Sequence, residues 1–355
     1  MHILHPFIRS SKKIMENSNR HANLQDQLPA IVFGTSGLGN LYTELSFDEK
    51  LAIVRECIKH APGKAVFDTA GKYGAGLSLE SIGKSLSQLG VAPSEVLISN
   101  KLGWYQVPLT TPEPTFEPEV WKGLNNDAVQ KISYEGILAC FHQGNTLLGD
   151  YTAQLVSVHD PDEYIANAGS VEEEEERYRD VLEAYRALAE LKMEGKVLGI
   201  GVGAKDWKII QRIAGDVPLD WVMIANSLTV YSHPKELIDF IEELGRKGIS
   251  VINSAVFNGG FLVGSDYFNY QRIDKDTEEG KALYVWRDKF WALCAQFDIL
   301  PAEACFNFGF NIAGIRSVAL NTTKPEKVHN NATMAIKDIP TGFWIAMREE
   351  GLILL

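Results

Sequence analysis

Short apolar runs and longer amphipathic segments alternate along most of the chain. Each apolar run has the length and composition of a buried strand, and the segment after it carries apolar residues at helical spacing. Eight such strand-then-helix units predict an α/β fold with a parallel barrel, the (β/α)8 or TIM barrel, as a single domain. The predicted strands are residues 30–34, 66–68, 96–100, 155–159, 197–202, 221–225, 249–253 and 317–320.

The helix predictions rest on apolar spacing and on end signals. Ser46 and Glu49 form a capping-box pattern before a segment in which Leu51, Val54 and Ile58 share one face. A glycine at position 195 is expected to end the long amphipathic helix over residues 173–193. The predicted helices are residues 46–60, 79–86, 134–148, 173–193, 207–213, 237–244, 281–297, 302–310 and 326–335.

Residues 104–132, directly after the third predicted strand, interrupt the alternation. Four prolines exclude a long helix here, and aromatic residues lie between them. A loop of this length in a compact domain is usually functional. We therefore expect an ordered lid over the mouth of the barrel, with peripheral packing or a contact between subunits as the alternative. The residues concerned are Pro108, Pro112, Pro114, Pro118, Trp104, Tyr105, Phe116 and Trp121.

The first 26 residues differ from the rest of the chain. They are polar, they carry several basic residues, and they lack the apolar segment of a secretory signal. We expect residues 1–26 to form a disordered tail and residues 27–355 to form the barrel. Met15 is a second candidate start residue. Neither an internal repeat nor a change in composition marks a second domain.

Composition and charge narrow the function classes. The chain is 45% hydrophobic and 23% charged, which is ordinary for a globular protein. A formal net charge of −12 argues against nucleic acid and anionic membranes as partners, because both select a basic face. No apolar run is long enough for a membrane span. The four cysteines are Cys57, Cys140, Cys294 and Cys305, and they show neither metal-ligand nor CxxC spacing. We therefore expect free thiols in a reducing, cytoplasmic compartment, and we expect no metal site.

Three of the predicted strands deliver a titratable residue at the carboxyl end. Asp68 ends the second strand, and Tyr73 follows it in a turn flanked by glycines. Lys101 closes the third strand and His159 the fourth. Each residue alone has an ordinary structural interpretation, such as a surface lysine or a turn histidine. Because the carboxyl ends of parallel barrel strands open onto one face, the four together predict a proton-transfer site.

This set resembles the catalytic tetrad of the aldo-keto reductases, and the resemblance covers about residues 31–331. It implies that Tyr73 is the general acid/base and that Lys101 lowers its pKa. It further implies that Asp68 holds Lys101 charged and that His159 orients the substrate oxygen. A nicotinamide cofactor, NAD or NADP, would then carry the hydride.

The resemblance also implies which residues bind the cofactor. Members of the family that prefer NADP usually carry Lys-Ser after the eighth strand, where this chain has Asn321-Thr322, and the missing cation favours NAD or dual use. Thr323 and Glu326 form a candidate capping box that would open a helix N-terminus to a phosphate. The residues implied are Gly34, Thr35, Asp68, Gly203, Asn226, Ser254, Phe257, Asn258, Gly259, Gly260, Asn321, Thr322, Thr323, Lys327 and Asn331.

Three positions depart from the family pattern near the nicotinamide. Gly203-Ala204 stand where the family has Ser-Asn, which holds the carboxamide. Ser254 stands where many members have a stacking tyrosine, and Asn226 where a glutamine is frequent. The resemblance therefore implies that this chain holds the nicotinamide differently, or more weakly, than other members do.

The long lid and residues 133–137 and 257–259 resemble one branch of the family, the D-threo-aldose 1-dehydrogenases (L-fucose or galactose dehydrogenases) with the related pyridoxal 4-dehydrogenases. This implies hydride transfer at C1 of a sugar hemiacetal, such as L-fucose or D-arabinose, or at an aldehyde. Tyr42, Trp104, Tyr105 and His159 would face the substrate. The alternatives are a general NADPH-dependent aldehyde or ketone reductase and a non-catalytic, redox-sensing barrel subunit. We expect a monomer or a small homo-oligomer.

Overall fold

Eight parallel strands close into a barrel in the computed structural model, which describes residues 24–354 apart from the side chain of Gln25. The cyclic order of the strands confirms the (β/α)8 prediction. The strands are β1 (Ile31–Gly34), β2 (Ala65–Ala70), β3 (Val96–Leu102), β4 (Trp104–Pro108), β5 (Asn126–Gln130), β6 (Leu155–His159), β7 (Gly199–Ala204), β8 (Trp221–Ala225), β9 (Ser250–Ser254), β10 (Tyr267–Phe268), β11 (Gln271–Arg272) and β12 (Ile315–Leu320). Strands β4, β5, β10 and β11 lie outside the barrel, in two small antiparallel sheets.

Helices follow the barrel strands and surround them. They are α1 (Leu24–Gln27), α2 (Phe47–His60), α3 (Leu77–Gln88), α4 (Tyr134–Leu148), α5 (Pro161–Ala166), α6 (Val171–Met193), α7 (Trp207–Asp216), α8 (Lys235–Arg246), α9 (Glu278–Gln296), α10 (Pro301–Asn311), α11 (Pro325–Thr333) and α12 (Thr341–Glu349). Residues 1–23 of the predicted tail lie outside the described residues. Residues 24–26, which were also predicted to be tail, belong to α1.

The capping box predicted at the start of α2 is present. The Ser46 side chain accepts a hydrogen bond from the Glu49 backbone N–H, and the Glu49 carboxylate accepts one from the Ser46 backbone N–H at 2.8 Å. The elements that were not predicted are α1, α5, α12 and the hairpins β4–β5 and β10–β11. Helix α5 and the strands β10 and β11 are too short for a periodic pattern to reveal them.

Alternate side chains of the strands fill the barrel interior. Trp221 is fully buried there, and its indole ring occupies the place where a Cβ on Gly201 would lie, 2.3 Å away. A glycine at 201 is therefore required by the bulk of the neighbouring strand's tryptophan. The interior cluster consists of Leu28, Val32, Val66, Leu97, Leu155, Trp221, Met223, Ile252 and Ala319.

The interior register determines what lies at the mouth of the barrel. Side chains two residues apart on a strand point to the same side. Each row that begins with an apolar interior residue reaches a titratable one farther along the strand: Asp68 follows Val66, Lys101 follows Leu97, and His159 follows Leu155. Lys101 and His159 are the last inward positions of β3 and β6, whereas in β2 Ala70 lies beyond Asp68.

The segment after β3 is partly strand, which corrects the expectation of an unbroken loop. Strands β4 and β5 pair antiparallel, with Trp104 opposite Gln130. Between them, the chain is attached to the loop after β1, since the Tyr42 backbone N–H donates to Val120 O at 2.8 Å. The Asn40 side chain donates to Lys122 O at 2.9 Å. The segment is thus ordered by contacts with the next loop of the mouth.

All four cysteines are buried and unpaired, as expected. Within residues 24–354, no helix combines the length and apolar character needed to cross a bilayer. In the same range, no group of three His, Cys, Asp or Glu side chains is arranged to hold a metal ion.

Candidate active site

Four titratable side chains meet where β2, β3 and β6 end. In the strand register, Lys101 lies opposite Ala70 on one side and Ser157 on the other. Asp68 is two positions from Ala70, and His159 is two positions from Ser157. Because alternate residues of a strand point to the same side, Asp68 and His159 share the inward face with Lys101. Tyr73 lies three residues beyond the end of β2, in the turn before α3.

The four side chains are in contact. The Lys101 ammonium donates to Asp68 Oδ2 at 2.5 Å and to Thr69 O at 3.3 Å. The same nitrogen lies 4.7 Å from the centre of the Tyr73 ring. His159 meets that ring edge-on, with centroids 5.6 Å apart. Asp68, Lys101 and His159 are each 3% exposed, whereas Tyr73 is partly exposed and borders the mouth.

Two opposing influences act on the Tyr73 phenol. Burial raises its pKa above the ordinary value of 10.0. The Lys101 ammonium lowers it, as expected from the sequence, but Asp68 and Asp160 act with burial and the net direction is upward. The cost of burying a phenolate, which the sequence does not reveal, outweighs the neighbouring cation. At neutral pH the phenol is therefore protonated.

Lys101 and His159 are shifted in opposite directions. Burial alone would lower the pKa of Lys101, but Asp68 and Tyr73 outweigh it and raise the pKa, so this amine is an ammonium at neutral pH. Burial lowers the pKa of His159 well below 6.5, and the ammonium groups of Lys101 and Lys72 add to the effect. The imidazole is neutral. Its Nδ1 is buried without a hydrogen-bond partner among the described residues.

Aromatic side chains surround the Tyr73 ring on the outer side. The Trp121 ring lies 5.9 Å from it, and Trp121 and Phe116 are buried in the segment between β4 and β5. Trp104 belongs to the same cluster. Farther out, Tyr42 stacks on Tyr267 at 6.2 Å, which joins the loop after β1 to the β10–β11 hairpin. The mouth is bordered by rings from three loops.

Tyr105, expected to face the substrate, lies in a different environment. Successive strand residues point to opposite sides, so Tyr105 points away from Trp104. Its ring packs against the main core, and the Lys131 ammonium lies 4.2 Å from its centre.

The ends of β7, β8 and β9 provide backbone and amide groups. Asn226 follows β8 with a positive φ of 61°, and its buried Oδ1 has no hydrogen-bond partner in the described part of the chain. Ser254 uses its hydroxyl on Ile224 O at 3.3 Å. Gly203 leaves room beside the Lys101 side chain, whose Cδ would lie 3.3 Å from a Cβ at 203. Asn226 Oδ1 is therefore a buried acceptor that no described residue satisfies.

The loop after β9 turns through left-handed backbone at three consecutive residues. Asn258, Gly259 and Gly260 have φ values of 47°, 71° and 95°. Asn258 is fully buried and donates to Asn269 Oδ1 at 2.9 Å, and Phe257 packs between the two large apolar clusters of the protein. The glycines are needed for packing within the loop, since a Cβ at 259 would lie 2.8 Å from Tyr270 N and a Cβ at 260 would lie 3.0 Å from Ser265 Cβ.

At the end of β12 the capping prediction was wrong. The N-cap of α11 is Lys324 and makes no side-chain capping bond, so Thr323 and Glu326 do not form a capping box. Thr322 Oγ1 instead accepts from the Lys324 N–H at 3.1 Å. Lys327, Asn331 and Asn321 belong to α11 and the turn before it, and Asn321 Oδ1 also accepts from the Gly37 N–H at 3.4 Å. On the β1 side, Thr35 next to Gly34 is bonded through its hydroxyl to Asp68 O at 2.9 Å.

The sequence profile described as the aldo/keto reductase family matches residues 30–344. The chain belongs to the aldo/keto reductase family. It is 25% identical over 338 residues to a pyridoxal 4-dehydrogenase from Microbacterium luteolum, covering 91% of this chain and 94% of that one. It is 26% identical to a D-threo-aldose 1-dehydrogenase from Pseudomonas sp, covering 92% and 95%.

Solved structures agree with this assignment at the level of the fold. A glycerol dehydrogenase from Gluconobacter oxydans superposes with a TM-score of 0.66 at 16% identity, covering 90% of each chain. An aldo-keto reductase from Bacillus halodurans, in its holo form, superposes with a TM-score of 0.65 at 18% identity, covering 92% of each chain. The protein is an oxidoreductase of alcohol or carbonyl groups with a small-molecule substrate.

Aldo/keto reductases use nicotinamide cofactors, and the residues present fit one. The carboxamide N–H of a nicotinamide can donate a hydrogen bond to the unpaired Asn226 Oδ1. At residues 258–260 the N–H groups of Asn258 and Gly260 already donate to Ala255 O and Phe257 O, both at 3.0 Å, so this turn offers a phosphate fewer free donors than its φ values suggest.

A group of charges at the mouth of this aldo/keto reductase was not among the predicted site residues. Lys72, next to Tyr73, is only 4% exposed and contacts carboxylates of Glu117, Asp160 and Glu163. Lys205, just after β7, also pairs with Glu163. Their positions gave one signal: Lys72 directly precedes the candidate general acid, and Asp160 directly follows the candidate orienting histidine. We call these five residues the charged cluster.

Proposed function

We propose that the protein is an NAD(P)-dependent dehydrogenase that transfers hydride between a nicotinamide and C1 of a sugar hemiacetal, or an aldehyde. One observation carries this proposal: a buried Lys101–Asp68 ion pair of 2.5 Å beside the Tyr73 ring and the neutral His159 at the mouth of an aldo/keto reductase barrel. A non-catalytic barrel would have no need to keep such a costly buried pair in the mouth.

Tyr73 is assigned the proton transfer. Its phenol is protonated at neutral pH and can give a proton to the oxygen of a carbonyl as that carbon is reduced. In the reverse direction the phenolate accepts the proton of the substrate hydroxyl. Because burial raises the pKa of Tyr73, the oxidation rate should increase with pH above neutrality, as the phenolate fraction grows.

Lys101, Asp68 and His159 are assigned supporting roles. The Lys101 ammonium stabilises the phenolate by charge, and Asp68 fixes that ammonium in position at 2.5 Å. His159 is neutral, so one ring nitrogen can donate a hydrogen bond to the reacting oxygen without bringing a second proton into the reaction. A bound nicotinamide supplies the hydride acceptor or donor.

Asn226 would hold the nicotinamide amide, since its Oδ1 is buried and unpaired among the described residues. The resemblance to the family assigns further cofactor contacts, and we keep these as candidates: Gly34, Thr35, Gly203, Ser254, Phe257, Asn258, Gly259 and Gly260. We infer a preference for NAD or dual use, because Asn321 and Thr322 supply no cation for a 2′-phosphate. Lys324 and Lys327, exposed in the first part of α11, are the remaining candidates for such a contact.

A sugar is proposed as substrate on two grounds. The relatives with similarity over nine tenths of the chain are named as dehydrogenases of an aldose and of pyridoxal. The mouth also combines aromatic rings, which stack on sugar faces, with a cluster of charged groups that can bond hydroxyls. The buried, unpaired thiols suit a reducing compartment, so we place the enzyme in the cytoplasm.

The experiment is a substrate panel of L-fucose, D-arabinose, D-galactose and pyridoxal, each with NAD and with NADP. We expect oxidation of at least one free sugar, faster with NAD than with NADP at equal concentrations, followed by absorbance of the reduced cofactor. Reduction of simple aldehydes with NADPH but no oxidation of any sugar would contradict the proposed substrate. Absence of turnover with all carbonyls and alcohols tested would contradict the proposed enzyme.

A further inference from the structure

Lys72 occupies an unusual place for a lysine. Its side chain is 5% exposed, and its ammonium lies 2.7 Å from Glu117 Oε1, 3.3 Å from Glu163 Oε2 and 3.4 Å from Asp160 Oδ2. The Trp104 ring centre is 5.3 Å away. Burial alone would lower the pKa of Lys72, but the three carboxylates outweigh it and raise the pKa. One fixed cation therefore contacts carboxylates from two parts of the mouth, the start of α5 and the segment between β4 and β5.

Asp160 is held in a strained position by this arrangement. Its φ of 46° lies in the left-handed region, which costs energy for a residue with a side chain, and such strain is common at functional sites. Its backbone N–H donates to Gly203 O at 3.1 Å. Its Oδ2 lies 3.5 Å from His159 Nε2, on the side of the ring opposite the buried Nδ1. The carboxylate therefore lies beside the nitrogen that is assigned to the reacting oxygen.

The charged cluster carries an excess of negative charge. It contains two ammonium groups, on Lys72 and Lys205, and three carboxylates, on Glu117, Asp160 and Glu163. A substrate with its own carboxylate or phosphate near the reacting carbon would meet this excess at short range. A neutral substrate with hydroxyl groups would instead find acceptors that are already ionised and fixed.

We propose that Asp160, positioned by Lys72, determines specificity by accepting a hydrogen bond from a hydroxyl on the carbon next to the reacting carbon. The substrates would then be uncharged 2-hydroxy aldehydes and their hemiacetals, a class that includes free aldoses and excludes oxo acids and sugar acids. This inference rests on the proposed function, because it takes His159 Nε2 as the group that binds the reacting oxygen. Lys72 acts through Asp160 and is a positioning residue.

Three small carbonyl compounds that differ in the group attached to the reacting carbonyl carbon provide the test. Glycolaldehyde carries the adjacent hydroxyl, acetaldehyde lacks it, and glyoxylate replaces it with a carboxylate. We expect the wild-type kcat/KM for reduction to favour glycolaldehyde over acetaldehyde by about tenfold or more, the range for a hydrogen bond to a charged group. Glyoxylate should be the poorest of the three.

Asp160→Ala should reduce the glycolaldehyde-to-acetaldehyde ratio to near one, and Lys72→Met should reduce it in the same direction. Lys72→Arg, which keeps the charge, should keep most of the preference, and the exposed Lys64→Met serves as a matched control. Because both substrates are measured on one preparation, the ratio does not depend on the fraction of a variant that is folded.

Two results would overturn the inference while leaving the proposed function intact: a wild-type enzyme that reduces glycolaldehyde and acetaldehyde equally well, or an Asp160→Ala variant that keeps the wild-type ratio. Faster reduction of glyoxylate than of glycolaldehyde would also contradict it. If the wild type oxidises a free sugar but reduces none of the three, the inference fails and the proposed function stands. If it turns over neither these three carbonyls nor any sugar of the panel with either cofactor, both fail.

Discussion

The lower and upper levels of the barrel interior are built from the same strands and have opposite character. In the lower level, Leu97 and its neighbours are buried and apolar apart from Trp221 Nε1, which has no hydrogen-bond partner among the described residues. In the upper level, the same inward rows carry Asp68, Lys101 and His159. There, Asp68 Oδ1 and His159 Nδ1 are buried without partners among the described residues.

This difference shows how the barrel divides two tasks. The lower level contributes stability, because burial of apolar side chains at close packing is favourable. In the upper level, buried charges and unpaired polar atoms cost stability, and a ligand can supply what they lack. We therefore expect substitutions in the lower level to change mainly the free energy of unfolding, and substitutions in the upper level to change activity as well.

Lys101→Met should have the largest combined effect. It removes the cation beside Tyr73 and leaves Asp68 buried without its partner. We expect kcat/KM to fall by about 10²–10⁴-fold and the free energy of unfolding to fall by roughly 3–5 kcal/mol. Steady-state kinetics and urea unfolding would check both, with Lys64→Met as the exposed control. Wild-type activity in Lys101→Met would contradict the division.

Leu97→Ala tests the lower level alone. Leu97 is 1% exposed in the interior cluster, so truncation should cost about 2–5 kcal/mol of unfolding free energy through lost burial and a cavity. Activity per folded molecule should stay close to wild type at a temperature well below the unfolding midpoint. A large loss of kcat in folded Leu97→Ala would show that the two levels are not independent.

A matched pair on β7 sharpens the comparison. A Cβ at 201 would lie 2.3 Å from the Trp221 ring, whereas a Cβ at 203 would lie 3.3 Å from Cδ of the flexible Lys101 side chain. Gly201→Ala should therefore cost about 1–3 kcal/mol through overpacking. Gly203→Ala should change stability by much less and act mainly on activity, through the position of Lys101. Equal thermal shifts for the two variants would be inconsistent with the packing described.

The smallest expected effect is a pH dependence of stability from the upper level. Because burial and nearby cations lower the pKa of His159 well below 6.5, the unfolded chain binds a proton that the folded chain excludes. Stability should fall as the pH decreases below about 6.5, by up to about 1.4 kcal/mol per pH unit from this residue. His159→Gln should show a shallower dependence between pH 6.5 and 5, measured by urea unfolding.

Sequence patterns predicted the barrel and brought together its four candidate catalytic residues, for a physical reason. Alternate side chains of a strand point to the same side, so residue spacing alone predicts that Asp68, Lys101 and His159 point into the barrel with the apolar residues before them. The capping box at Ser46 is equally local and was confirmed.

Features that depend on tertiary contacts could not be read in this way. Lys72 looks like a surface lysine until the fold brings Glu117, Asp160 and Glu163 to it across 45 to 91 positions of the chain. The direction of the Tyr73 shift depends on how deeply the ring is buried, which the sequence does not reveal. Thr323 had the right spacing for a cap, but the turn before α11 places Lys324 there instead.

Tyr73→Phe tests the central claim most directly, because it removes one oxygen at the partly exposed edge of the upper level. Turnover of the best sugar or aldehyde should fall by at least about 10²-fold. The thermal midpoint and the dissociation constant for the nicotinamide cofactor, followed by protein fluorescence, should stay close to wild type. A folded Tyr73→Phe enzyme with wild-type turnover would contradict the account.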